Sequence, residues 1–386
     1  MGKENLHIIA PEYYFNEHTH FPETHHIRQA WLQKQFYHPY PTKAEIDSFS
    51  KSIYPEKLLT KIKQYSPSNA ILYNLLQINV YPELLDWIIG EIEKIGKIDK
   101  IEAILAWRDC ASLSQAAKKK GIKIIYNELG PFRNPLQHET FYWDYEGVKN
   151  STELAKRFDL SRNNNYLRKQ CEKWAMRFMP GLLLQMDRPG CAVLMACEED
   201  FAFMQGFSNY RLLAYAKERF PNERIVIRQH PLSRNVHYRD TEYDESSDIN
   251  TLAKKCGHAI TAYSNAAIEL LSHGVRVDFM GDTPLRFLSN ENMRDNERAW
   301  KAGFFCMNYL VPGKFMFNPE YYRWRLTDPS EEAIFERHKD AWEKLANPNN
   351  AVPPKVIKVF GLMGRHSASS ERAGKNYLEL PSQKVF

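Results

Sequence analysis

The feature that most constrains this chain is an alternation between residues 191 and 280. Four short apolar runs, CAVLMAC, RIVIRQ, HAITAY and VRVDFM, are separated by NYRLLAYAKERF, INTLAKKC and NAAIELLSH, which are rich in helix formers. Each apolar run is too short for a buried helix and carries the β-branched residues of a strand. Short apolar strands that alternate with helices in this way are covered on both faces. A parallel sheet with helices packed on each side meets that demand.

The same pattern occurs once upstream. IEAILAW (101–107), ASLSQAAKKK and GIKIIYNE read as strand, helix and strand, with Gly121 ending the helix. Helix-like patterns over 43–66 and 82–94 precede this βαβ unit, and LHIIA near the start reads as a first strand of the same sheet. A helical segment runs to Met179, and QMDRPG (185–190) reads as a linker punctuated by Pro189 and Gly190. The expectation is an α/β protein of two Rossmann-like domains facing across a cleft, residues 1–186 and 187–325, followed by C-terminal helices and a basic tail over 326–386. A length of 386 residues suits two domains. Helical patterns at 291–302 and 329–346 are expected to cross back over the first domain.

Charge and cysteine usage exclude several classes of partner. The 52 basic and 47 acidic residues leave a net charge of +5, too slight for a nucleic-acid binder of the strongly basic kind. Six cysteines (Cys110, Cys171, Cys191, Cys197, Cys256 and Cys306) lie far apart without CxxC spacing, which predicts reduced thiols and a cytoplasmic protein. The N-terminus lacks a signal peptide's apolar stretch, and no window approaches the roughly 18 apolar residues of a membrane span. The last 36 positions, 351–386, carry Lys355, Lys358, Arg365, Arg372, Lys375 and Lys384 against Glu371 and Glu379. That basic stretch reads as a solvated tail or as a peripheral contact with an anionic membrane surface.

In a parallel sheet, ligands sit outside the carboxyl ends of the strands, so the loops after the strands carry the chemistry. Three such loops stand out. The first presents Glu198, Glu199 and Asp200, any of which suits a carboxylate nucleophile or base; a solvated acidic turn has the same composition. The second runs Arg228, Gln229, His230, Pro231, where His230 can donate to a phosphate oxygen and Pro231 holds the loop extended. The third runs Thr261, Ala262, Tyr263, Ser264, Asn265 into a helix that holds Glu269 and ends at Gly274. A hydroxyl-bearing turn opening a helix offers free N–H groups to a phosphate, and ordinary capping by Ser264 uses the same geometry. In the first half, NELGPFRNP puts Glu128 and Arg133 after a strand, as site residues or as a surface ion pair on a turn. His18, His20, His25 and His26 fit no standard zinc spacing, so no metal site is expected.

Taken together and in order, these motifs resemble the bacterial β-Kdo glycosyltransferases of capsule and lipopolysaccharide O-antigen synthesis, enzymes that use the eight-carbon keto acid 3-deoxy-D-manno-oct-2-ulosonic acid. The likeness covers residues 101–284. Glu128, Gly130 and Arg133 match a Glu-x-Gly-x-x-Arg loop; Asp200 matches the end of a Gln-x-x-x-Asp motif; His230 and Pro231 match a His-Pro strand end; Thr261, Ser264, Glu269 and Gly274 match a Thr-x-x-Ser turn and its helix. The glutamine of the pattern falls on Ala196, which leaves Glu198 or Glu199 open as the active carboxylate.

The resemblance implies a GT-B-like fold, a CMP-Kdo donor, no cofactor or metal, and a glycan or glycolipid acceptor. It also implies retention of configuration through a covalent sugar adduct on Asp200. Departing CMP would be met by His230 and the Ser264 turn, the acceptor proton by Glu128, and a sugar carboxylate by Arg133 or Arg228. Tyr263, Asn265 and Glu269 complete the expected substrate contacts. Two other readings stand beside it: the same fold with CMP-sialic acid as donor, and a non-catalytic assembly protein of the polysaccharide machinery.

Overall fold

The computed structural model describes residues 7–10, 50–63, 75–98, 100–132, 139–149, 152–184, 188–196, 208–230, 238, 241–246, 248–316 and 318–345. In chain order the elements are β1 (His7–Ala10), β2 (Ser50–Ile53), α1 (Glu56–Lys63), α2 (Pro82–Gly96), β3 (Ala103–Trp107), α3 (Ala111–Lys120), β4 (Lys123–Leu129) and β5 (Thr140–Asp144). They continue with α4 (Leu154–Leu160), α5 (Asn165–Phe178), β6 (Cys191–Leu194), α6 (Asn209–Arg219), β7 (Ile225–Arg228), β8 (Glu242–Tyr243), α7 (Ile249–Ala253), β9 (His258–Thr261), α8 (Ala266–Ser272) and β10 (Arg276–Phe279). The last are α9 (Arg298–Phe304), β11 (Leu310–Pro312), α10 (Pro319–Leu326) and α11 (Glu331–Leu345).

The second sheet matches the alternation in the sequence. Its order is β10-β9-β6-β7-β8, with every pair parallel. In order of appearance the strands read 5-4-1-2-3, the Rossmann arrangement viewed from its other edge. Successive side chains of a strand point to opposite faces, and here the two sets fall into two cores. Cys191, Val193, Ile227 and Ile260 pack with Leu212, Leu213 and Ala216 of α6, whereas Ala192, Leu194, Val226, Ala259 and Val277 pack with α7, α8 and α5. Ser208 opens α6 by accepting from the Arg211 N–H, and Asp248 opens α7 by accepting from the Thr251 N–H.

The first sheet has the order β11-β5-β4-β3. The expected βαβ unit is present: β3 and β4 are parallel, and Gly121 at φ 64° ends the intervening α3 in the left-handed conformation that suits glycine. The rest departs from a Rossmann-like sheet, because β5 is antiparallel to β4 and β11 antiparallel to β5. The aromatic run TFYWD of β5 pairs antiparallel alongside β4, a pairing that needs no crossover helix. The LHIIA strand pairs instead with Ser50–Ile53 in a separate two-stranded parallel sheet. Part of the helix expected over 43–66 is therefore strand, and among its described residues Glu56–Lys63 are helical.

One core serves both sheets. Ala106, Tyr126 and Tyr142 of the first sheet join Ala192, Leu194, Val226 and Val277 of the second through α4, α5 and α9. The packing of α5 on α9 is close enough that a Cβ added to Gly303 would clash with the Cys171 carbonyl oxygen. After α9 a π-helical turn (Phe305–Tyr309) carries the chain into β11, so the C-terminal part does return to the first sheet. The five described cysteines are unpaired thiols, four of them buried. No helix among the described residues is long and apolar enough to cross a membrane.

Candidate functional site

The carboxyl edge of the second sheet is set by register. Leu194 pairs with both Arg228 and Thr261, and Thr261 pairs with Phe279, so β6, β7, β9 and β10 end in one row. Helix α6 leaves β6 toward one face and α8 leaves β9 toward the other. The strand order thus reverses between β6 and β9, the place where doubly wound sheets open a crevice for a ligand.

Thr261 ties this row together. Its buried hydroxyl donates to the Leu194 carbonyl at 3.1 Å, joining the ends of β6 and β9, and accepts the Ser264 N–H at 3.1 Å. The hydroxyl holds the turn, and the groups left on its outer side are Ser264 and the exposed Asn265. Asn265 makes no side-chain cap on α8. Tyr263 is half-buried and its ring packs on the core beneath α6.

Arg228 and Glu269 come together on the α8 side. The Arg228 charge opposes a rise in the Glu269 carboxyl's pKa that burial drives and that remains the net effect. Arg228 also holds Asp244 at 2.5 Å and donates to the Ser246 carbonyl at 3.3 Å. Burial alone would raise the Asp244 carboxyl; hydrogen bonds from Ser246 and Arg228 outweigh it and leave its pKa lowered. One end of the Arg228 guanidinium is therefore committed to a carboxylate of its own chain. His230 lies two residues past β7 and is half-buried.

After β6 the chain is held by a residue that carries no sequence motif. Asn209, in the first turn of α6 and 4% exposed, accepts the Ala196 N–H at 2.9 Å and donates to the Ala196 carbonyl at 3.1 Å. Ala196, where the resembling family has glutamine, is buried in the core beneath α6. Glu198, Glu199 and Asp200 follow and lie outside the described residues, as do Arg133, Pro231 and the histidines at 18, 20, 25 and 26.

In the first sheet, Glu128 stands at the end of β4. Its Oε2 accepts from Arg108 Nε at 2.6 Å and its Oε1 from the Leu129 N–H at 2.9 Å. Asp109, next along from Arg108, accepts the Val148 and Lys149 N–H groups at 2.9 Å each and pins that loop against the end of β3. The carboxyl of Asp282, just past β10, is pushed up to about 6, first by burial and second by the negative charge of Asp109. The loop after β10 of the second sheet thus comes within electrostatic reach of the loop after β3 of the first. Arg108, Asn209, Asp244 and Asp282 were not legible as site residues, since each acts through a contact to a residue distant in sequence.

An α/β protein with a Rossmann-ordered sheet and polar loops along its carboxyl edge is the class these observations define. Residues 1–153 match the model of the glycosyltransferase 99 family N-terminal domain, in keeping with the resemblance drawn from the motifs. No curated protein sequence matches. Among solved structures the chain is similar to the KpsC β-Kdo 2,7 transferase of Thermosulfurimonas dismutans, at 16% identity and a TM-score of 0.42, covering 58% of this chain and 82% of that one. It is also similar to the β-Kdo 2,4 transferase of the same organism's KpsC, at 13% identity and a TM-score of 0.39, covering 58% and 88%. Both structural likenesses are remote, and the functional reading rests on the family domain and on the residues themselves.

Proposed function

We propose that this chain transfers Kdo from CMP-Kdo to a hydroxyl of a capsule or lipopolysaccharide O-antigen glycan, with retention of configuration. The observation that carries the reading is the shared edge: β6, β7 and β9, the strands that precede Asp200, His230 and Ser264 in the sequence, are neighbours and end in one row. The glycosyltransferase 99 domain over residues 1–153 supports it from the other half of the chain.

The chemistry follows from the donor. The anomeric carbon of a keto acid is quaternary and bears a carboxylate, so loss of CMP leaves an oxocarbenium-like centre that a nearby carboxylate can trap. In the first step an Asp200 oxygen bonds to that carbon while its bond to the CMP phosphate oxygen breaks, and the electron pair departs with CMP. His230, the Ser264 hydroxyl and the N–H groups that follow it at the start of α8 offset the negative charge that grows on the phosphate, with no metal required. In the second step the acceptor oxygen bonds to the same carbon, its proton passes to Glu128, and the Asp200 carboxylate is released. Two inversions give net retention. We assign the donor side to the second sheet and the acceptor side to the first, and place the reaction at the cytoplasmic face of the inner membrane, with the basic stretch after residue 351 as a peripheral contact.

Intact-mass spectrometry after incubation with CMP-Kdo tests the reading. The expected result is a mass increment of one Kdo residue that maps to Asp200 and is lost in Asp200→Asn, which should still fold cooperatively. Near wild-type transfer by Asp200→Asn would remove Asp200 from the mechanism. Turnover of CMP-sialic acid in place of CMP-Kdo would change the donor.

A further inference from the structure

Among the described residues only two other than glycine have left-handed backbone: Asp328 at φ 52° and Arg108 at φ 72°. Aspartate tolerates that region, whereas for a long side chain such as arginine it is unusual. Arg108 adopts it where β3 turns toward α3. Its N–H extends the β3–β4 ladder to the Asn127 carbonyl at 2.8 Å, and the next residue, Asp109, is fixed by the Val148 and Lys149 N–H groups. Glycine would satisfy such a turn without strain. Strained backbone that keeps a costly side chain is a feature of functional sites.

The side chain has one occupied edge. Nε donates to Glu128 Oε2 at 2.6 Å, the Arg108 side chain is 19% exposed, and among the described residues its terminal nitrogens have no hydrogen-bond partner. A guanidinium offers five N–H donors in a fixed fork suited to two oxygens of one anion. The pair stands at the carboxyl edge of the first sheet, one residue from the Asp109 that Asp282 of the second sheet senses.

We infer that Arg108 is an oxyanion-binding residue that grips the substrate with its terminal nitrogens while its Nε fixes Glu128. Its ligand class is a two-oxygen anion, the carboxylate of the sugar or the phosphate of the nucleotide, which it would meet from the acceptor side of the site. The inference rests on the transferase reading for the identity of that substrate, but not for the anion site itself.

The test uses the full chain as wild type, Arg108→Gly and Arg108→Lys, titrated separately by calorimetry with Kdo, which has a carboxylate and no phosphate, and with CMP, which has the reverse. Arg108→Gly should still unfold cooperatively, because relief of the strain at φ 72° offsets the lost ion pair to Glu128. It should bind one of the two probes at least tenfold more weakly and the other unchanged, with Arg108→Lys intermediate. In turnover the donor KM should rise through the lost anion contact and kcat should fall through the released Glu128. Weakening of Kdo binding assigns the carboxylate, and weakening of CMP binding assigns the phosphate. Unchanged binding of both probes, equal loss of both, or binding of neither by wild type overturns the inference. Wild type that binds one probe in an Arg108-dependent way yet does not turn over CMP-Kdo sinks the donor assignment and keeps the oxyanion site.

Discussion

Replacing Asn209 with leucine isolates the contact that joins fold to site. The side chain makes two hydrogen bonds to one backbone residue, the Ala196 N–H at 2.9 Å and the Ala196 carbonyl at 3.1 Å, with both residues 4% exposed. Leucine fills a similar volume but leaves both backbone groups buried and unpaired. Each such group costs about 1–3 kcal/mol, so the pair predicts a loss of about 3 kcal/mol after partial resolvation. With a urea m-value of about 3 kcal/mol/M, the unfolding midpoint should fall by about 1 M at constant slope. Asn209→Asp separates the two bonds. Its oxygen still accepts the Ala196 N–H, but an ionised carboxylate repels the Ala196 carbonyl, so its deficit should be larger at pH 8 than at pH 5. Under the transferase reading, activity should drop in both variants, because Ala196 lies four positions before Asp200 in the sequence. A leucine variant that unfolds at the wild-type midpoint would refute the assignment of Asn209 as the clamp.

Three further outcomes follow from the same geometry. Thr261→Val removes a buried hydroxyl that bridges Leu194 and Ser264, and should cost about 1–3 kcal/mol by denaturant titration, with Thr261→Ser recovering most of it. Gly303→Ala places a methyl group against the backbone of Cys171, which cannot move as a side chain would; a loss of about 3 kcal/mol and a melting midpoint lower by several degrees are expected. Asp282 has a folded pKa of about 6, above the usual 3.8, so its contribution to stability is present below pH 4 and is lost as pH rises through 6. Asp282→Asn should therefore gain stability relative to wild type between pH 4 and pH 7, and a pH-independent difference would show that this carboxyl does not titrate there.

The second sheet was legible because short apolar runs alternate with helix-forming stretches, and all four readings from CAVLMAC to VRVDFM fall on strands. The βαβ unit was legible for the same reason, with Gly121 marking the helix end. What escaped was pairing that depends on distant partners. The TFYWD run has the composition of a strand but carries no mark of an antiparallel return. Leu310–Pro312 is three residues long and follows a helical pattern, so only its pairing with β5 makes it a strand. SKSI sits inside a polar, lysine-bearing stretch whose neighbours read as helix. At the site, the hydroxyl turn and the histidine loop were visible as residue types after strands. Arg108 and Asn209 were not, since nothing local distinguishes them from other arginines and asparagines; their roles are fixed by Glu128 and Ala196 across a turn or a loop.

The antiparallel seam between β5 and β11 joins residues 140–142 to residues 310–312. During synthesis β5 would leave the ribosome long before its outer neighbour exists, with one row of backbone donors and acceptors unsatisfied while the whole second sheet is being made. Completion of the first sheet is then among the last events in folding. A nascent chain stalled before residue 310 would expose that aromatic strand as an open edge for other chains to pair with, which makes late translation the stage at which this protein is most exposed to misassembly.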